Sequence, residues 1–179
     1  MINQDRVENL LALEVYTHST IKIGKLSCPI SMRVTDLLNI LFFSDTAGDE
    51  NYLELLEPDT ITSQNAPRVF FRKSAIELVA TSDVNAGRGT GAESNHKDYY
   101  PFVRKIPTRV TIALPSYTVT GGICCADDQS LLAAINGYRD FLPLTTALIT
   151  SVSGYREERP FVAVNRHQII SLREDPNSR

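Results

Sequence analysis

Two stretches decide the reading of this chain: "PRVFFRKSAIELV" at 67–79 and "RPFVAVNRHQIISL" at 159–172. In each, a proline leads into an apolar run, a short polar tip with basic residues interrupts it, and a second run follows around an isoleucine. That is the pattern of a hairpin, with apolar residues alternating along each strand and turn-tolerant residues between. The period of two puts Val69, Phe71, Ile76 and Leu78 on the apolar face of the first hairpin and Val162, Val164 and Ile169 on that of the second. All seven are predicted to be buried.

A pattern written twice calls for a search for a longer repeat. "STIKIGKLSC" at 19–28 and "SYTVTGGICC" at 116–125 match under a shift of 97 residues. The shift lays Ser19 on Ser116, Gly24 on Gly121, Leu26 on Ile123 and Cys28 on Cys125. It also carries Asn39 of "TDLLNIL" onto Asn136 of "LAAINGY". "YLELLEPDTITS" faces "FLPLTTALITS" with one residue removed, and the two hairpins match under a shift of 93, Pro67 on Pro160 and Ile76 on Ile169. The shift falls because the first copy carries the extra polar residues of "FFSDTAGDEN" at 42–51, and loops tolerate insertions where paired strands do not. The matched blocks keep their order, so the chain reads as two copies of one unit.

Each unit begins with a strand of alternating character, "LALEVYT" at 11–17 and "RVTIALP" at 109–115. A second strand follows, with a glycine that marks a bulge or bend. Next comes a short helix, since "MRVTDLLNILFF" and "DQSLLAAINGY" space their apolar residues at i, i+3 and i+4. Asp127 or Asp128 is expected to cap the second helix and Gly137 to end it. A third strand and the hairpin complete the unit. The expected fold is mainly β (α+β): two tandem copies of a small, strongly bent, barrel-like β-β-α-β-β-β unit, at 1–82 and 105–179. Residues 83–104, rich in Gly, Asn and Ser, read as the linker. Its "GRGTG" lacks the lysine and the helix that a phosphate loop requires.

Composition narrows the function classes. Of 179 residues, 42% are hydrophobic and 22% charged, which is globular rather than disordered. The net charge of −3 gives no general polyanion-binding surface. No apolar run is long enough for a membrane-spanning helix, and residues 1–16 lack the pattern of a secretory signal, so a cytoplasmic protein is expected. Cys28, Cys124 and Cys125 are the only cysteines, an odd number with two adjacent. They make neither a disulfide framework nor, with His18, His96 and His167 so scattered, a zinc site. They read as small hydrophobes on buried strands, and no metal or cofactor is expected.

The candidate ligand-binding residues are the hairpin tips: Arg72 and Lys73 on one, Asn165, Arg166 and His167 on the other. Two basic tips brought together by a pseudo-twofold axis would meet a phosphate or carboxylate jointly. Catalysis finds less support, because there is no nucleophile elbow and the pairs Asp127-Asp128 and Glu157-Glu158, being adjacent, point to opposite sides of an extended chain.

The closing hairpins "VFFRKSAIELVA" and "FVAVNRHQIISL" resemble the final hairpin of Sm-like barrels, and Asp36 and Asn39 in "TDLLN" echo the Asp and Asn that Sm proteins present to RNA bases. Neither tip has the family's Arg-Gly pair, and a helix stands where an Sm barrel runs from its second strand to its third. "FLPLT" followed by "FVAVNR" is similar to a bacterial family with a domain of unknown function, which implies no activity. The expectation is a non-enzymatic binding or assembly module. An RNA-binding Sm-like protein is the alternative, and a cryptic hydrolase comes third. The bent sheet of each unit leaves unpaired edges, which predicts self-association as a homodimer. RNA or a small anionic ligand is the other candidate partner, and a membrane is not.

Overall fold

The computed structural model describes residues 8–29, 33–39, 52–57, 67–83 and 105–175. The insertion at 42–51 and nearly all of the linker lie outside them. The first half contains strands β1 (Glu8–Thr17) and β2 (Ile21–Pro29), helix α1 (Val34–Asn39), and strands β3 (Tyr52–Leu56), β4 (Arg68–Arg72) and β5 (Ile76–Thr81). The second contains β6 (Lys105–Ala113), β7 (Tyr117–Ala126), α2 (Leu131–Asn136), β8 (Phe141–Ser151), β9 (Arg156–Asn165) and β10 (Ser171–Glu174). Moved by 97, α1 coincides with α2 end to end. Moved by 93, the 3-10 turn at Lys73–Ala75 coincides with that at Arg166–Gln168.

The protein is mainly β, and the ten strands among the described residues form one open antiparallel sheet in the order β10-β6-β7-β8-β9-β5-β1-β2-β3-β4. Within the halves the orders are β5-β1-β2-β3-β4 and β10-β6-β7-β8-β9, strand for strand the same. Two separate barrels were the expectation; the observed sheet runs through from one half to the other. The reason is the pairing of β5 with β9, in which Leu78, Val79, Ala80 and Thr81 face Val164, Ala163, Val162 and Phe161.

Close approach of a neighbouring strand explains the matched glycines. A Cβ at Gly24 would lie 2.8 Å from Cβ of Leu55 on β3, and one at Gly121 would lie 3.1 Å from a methyl of Leu144 on β8. The third strand of each half thus leans onto the second where only a hydrogen atom fits.

The described residues form two cores, and each borrows from the other half. One gathers Val110, Ile112, Val119, Leu142, Leu144 and Val162 of the second half together with Tyr16, Leu78 and Ala80 of the first. The other gathers Leu13, Val15, Leu37, Leu38, Leu53 and Val79 of the first half with Phe141, Phe161 and Ala163 of the second. Strands β5 and β9 therefore bury both faces, one toward each core, and their apolar runs are continuous there rather than alternating.

The helix cap departs from expectation. Asp127 and Asp128 form the turn after β7, and Ser130 caps α2, its hydroxyl oxygen accepting from the Ala133 N–H at 3.2 Å. Serine one residue before the helix is in the right place for that bond; the aspartates are too far back. Gly137 ends the helix as expected, donating to the carbonyls of Ala133 and Ala134.

Candidate functional site

The side chains that do specific work concentrate where the halves meet. Asn39, the last residue of α1, spends both ends of its amide there. Its Oδ1 accepts from the N–H groups of Asp140 and Phe141, each at 2.8 Å, and its Nδ2 donates to the carbonyls of Phe141 (2.8 Å) and Thr35 (2.9 Å). One asparagine thus continues the ladder at the start of β8, where β7 has not yet begun to pair.

At the hairpin tips Asn165 plays the reciprocal part. Buried at the end of β9, it donates to the carbonyls of Lys73 (3.0 Å) and Ile76 (2.8 Å) in the first half and accepts from the His167 N–H. Gln168 adds a bond to the Ser74 carbonyl. The structure therefore brings four of the five tip residues together: Lys73, Asn165, Arg166 and His167. Asn165 is consumed in joining the tips. Arg166 donates to the Tyr138 carbonyl at 2.8 Å, and the exposed His167 lies 3.2 Å from the Asp140 carboxylate. Arg72, exposed at the end of β4, leads into the first tip's turn, but its side chain makes no bond to the second tip among the described residues.

A second joint is ionic. Arg159 of β9 forks across the two carboxylate oxygens of Glu14 on β1 at 2.8–3.2 Å and also pairs with Glu157. Tyr16 donates to Glu14 at 2.8 Å, and Tyr155 donates to Glu157. Burial first, then the bond to Glu14, raises the Tyr16 hydroxyl far above the ordinary tyrosine range. Burial works to raise the Glu157 carboxyl, but the bonds from Tyr155 and Arg159 outweigh it and hold the group low. Geometry of this kind, a planar guanidinium on a carboxylate, is the form of ion pair worth most. In the sequence Glu157 is marked only as one of an adjacent pair of carboxylates, and nothing there ties residue 14 to residue 159.

The hairpin ends β1–β2 and β6–β7 also touch. Tyr117 donates to the Thr17 carbonyl, its ring edge-on to Tyr16 at 5.4 Å, and buried Glu77 accepts from the Ser116 N–H at 2.8 Å. His18 Nδ1 lies 2.7 Å from the Ser116 hydroxyl. This pair sits in the open, and no third group orients the imidazole among the described residues. His167 bonds no serine among the described residues.

A shallow cleft of about 530 Å³ opens on the second half between Arg109, Thr146, Leu148, Glu158 and Arg159. Thr146, where the β7–β8 register shifts, holds a positive φ of 49°. Arg159 is already engaged with carboxylates, so the cleft offers no free cationic pair. Cys125 is buried as expected and Cys124 is exposed, while the Cys28 side chain lies outside the description. Among the described residues no group of His, Cys, Asp or Glu forms a metal site, and no helix is long and apolar enough to cross a membrane. No family model, curated protein or solved structure matches this chain.

Proposed function

We propose that this protein is a non-enzymatic assembly module, built from a duplicated β-β-α-β-β-β unit at 1–82 and 105–179, which joins further copies of itself through its sheet edges. The observation that carries this reading is the junction between the halves. It pairs the fifth strand of the first unit, β5, with the fourth strand of the second, β9. What remains at the ends of the sheet is the fourth strand of the first unit, β4, and the fifth strand of the second, β10. The junction pairs one edge of each of these two kinds, which supports pairing between the two that remain. An unpaired edge is a template for another strand.

Burial supports the same reading. In the middle of the sheet Leu78, Val79, Ala163 and Val164 are fully buried. At the ends, the equivalent positions carry exposed Phe70 and Ser171 and half-buried Phe71 and Leu172. Static light scattering coupled to gel filtration tests the proposal. A mass of two or more chains of 19.9 kDa at micromolar concentration is expected, and the mass of a single chain across that range overturns it.

A further inference from the structure

We infer that Asn136, at the end of α2, is a docking residue for a second copy of this chain, holding the backbone of that copy's Tyr52 as Asn39 holds Phe141, while β10 pairs with that copy's β4. The inference rests on the assembly reading above and adds the edge, the register and the clamp.

The clamp comes from superposing the halves. Asn39 closes α1 and Asn136 closes α2, in helices of the same six-residue length. Asn39 makes four hydrogen bonds, three of them to the start of β8 in the other half. Asn136 is exposed and makes no side-chain bond within the described chain. The residue that it would hold is fixed by register. Phe141 faces Asn165 across β8–β9, and Tyr52 faces Arg72 across β3–β4. Since Asn165 and Arg72 are equivalent under the shift of 93, so are Phe141 and Tyr52. On its side away from β4, Tyr52 has no strand neighbour among the described residues, because β2 pairs with β3 only at Lys25 and Leu56.

The register of the new ladder follows from the old one. Leu78↔Val164 through Thr81↔Phe161 translate into Ser171↔Phe71, Leu172↔Phe70, Arg173↔Val69 and Glu174↔Arg68 between copies. Glu174 falls opposite Arg68, a favourable cross-strand pair. Phe70, 58% exposed, takes the position of Ala163, which is fully buried in the neighbouring core. There it would cover Leu172 and Ile169, which lie half-buried at the open end of the other core. Arg72 takes the position of Asn165, again a donor aimed at a tip. Such an interface is heterologous, so copies form a closed ring, two being the smallest, where the rotation between them closes, and an open filament where it does not.

Sedimentation equilibrium on the full chain, with the wild type beside Asn136→Ala, tests the clamp. The variant is expected to weaken self-association by about tenfold or more, because the bond donors and acceptors at the partner's Tyr52 go unmet. Its monomer should melt where the wild type does. A variant that associates as tightly as the wild type overturns the clamp. A wild type that stays a single chain overturns the assembly reading along with it. The register is tested by oxidising a mixture of Phe70→Cys and Leu172→Cys chains. A covalent dimer that forms only in the mixture, above the background of wild type and of each variant alone, is expected. Dimers formed by either variant alone to the same extent would mean like edges meet, and would overturn the head-to-tail arrangement.

Discussion

The middle of the sheet and its two ends are built from equivalent strands, yet they differ in every measure of burial. At the junction β5 and β9 have a strand on each side and a core against each face, and Ile76, Leu78, Val162 and Val164 are all fully buried. At the ends, Val69, Phe71 and Ile169 carry the same alternation and are only half-buried. The apolar pattern of a strand therefore sets which side faces a core. How deeply a residue is buried depends on whether another strand lies alongside. The seven residues expected to be buried divide along that line.

The largest expected contrast is in the cores. Leu78→Ala removes a side chain sealed between both halves and is expected to destabilise by about 2–5 kcal/mol. Val69→Ala, on the open edge, should cost under about 1.5 kcal/mol. Chemical denaturation of both variants at low protein concentration measures the difference, and equal losses would break the distinction between middle and end.

Gly24→Ala comes next. The new methyl meets the Cβ of Leu55 at 2.8 Å, a backbone-anchored atom that cannot swing aside, and the expected cost is about 1–3 kcal/mol by overpacking. An unchanged denaturation midpoint would mean that β3 does not lean on β2 so closely.

Asn39→Ala leaves the N–H groups of Asp140 and Phe141 without their acceptor and should cost about 1–2 kcal/mol. Asn136→Ala in the unassociated chain should cost less than about 0.5 kcal/mol. The ratio of the two sharpens the comparison directly, since an asparagine at the end of equivalent helices is engaged in one half and makes no side-chain bond among the described residues in the other.

The smallest expected effect is the pH dependence at the ionic joint. Tyr16 is held neutral above its ordinary pKa, so its stabilising contribution is complete below about pH 10 and is lost as pH rises beyond that. Glu157, held low, acts in the opposite sense: its contribution is complete above about pH 5 and is lost as pH falls through the depressed value. Thermal melts from pH 3 to 11 should show both flanks. Tyr16→Phe should soften the alkaline flank only partly, because burial also raises Tyr117 and Tyr138. An alkaline flank that Tyr16→Phe leaves unchanged would place the effect elsewhere.

Much of this architecture could be read from local pattern. Strand alternation, the helix spacing and the order of the matched blocks all express short-range physics: which face of a strand or helix is apolar, and where a turn can bend. The pair Asn39 and Asn136 stood out in the sequence as a match, and both fall on helix ends. Their unequal roles were not visible there, because one bonds residues about a hundred positions away and the side chain of the other makes no bond among the described residues. The capping of α2 by Ser130 was a near miss of the same local kind, decided by where the turn at Asp127 and Asp128 ends.

By itself, then, the sequence determined a mainly β chain with two similar halves, the faces of its strands and the places where glycine is required. Only the tertiary structure decided that the halves share one sheet, that Asn165 is spent on the tip of the other half, and that Glu14 is the partner of Arg159. Those contacts depend on which strand edges come together over long separations. Strand edges are made of backbone groups, the same in every residue, and side-chain pattern marks the faces of a strand without naming the neighbour at its edge.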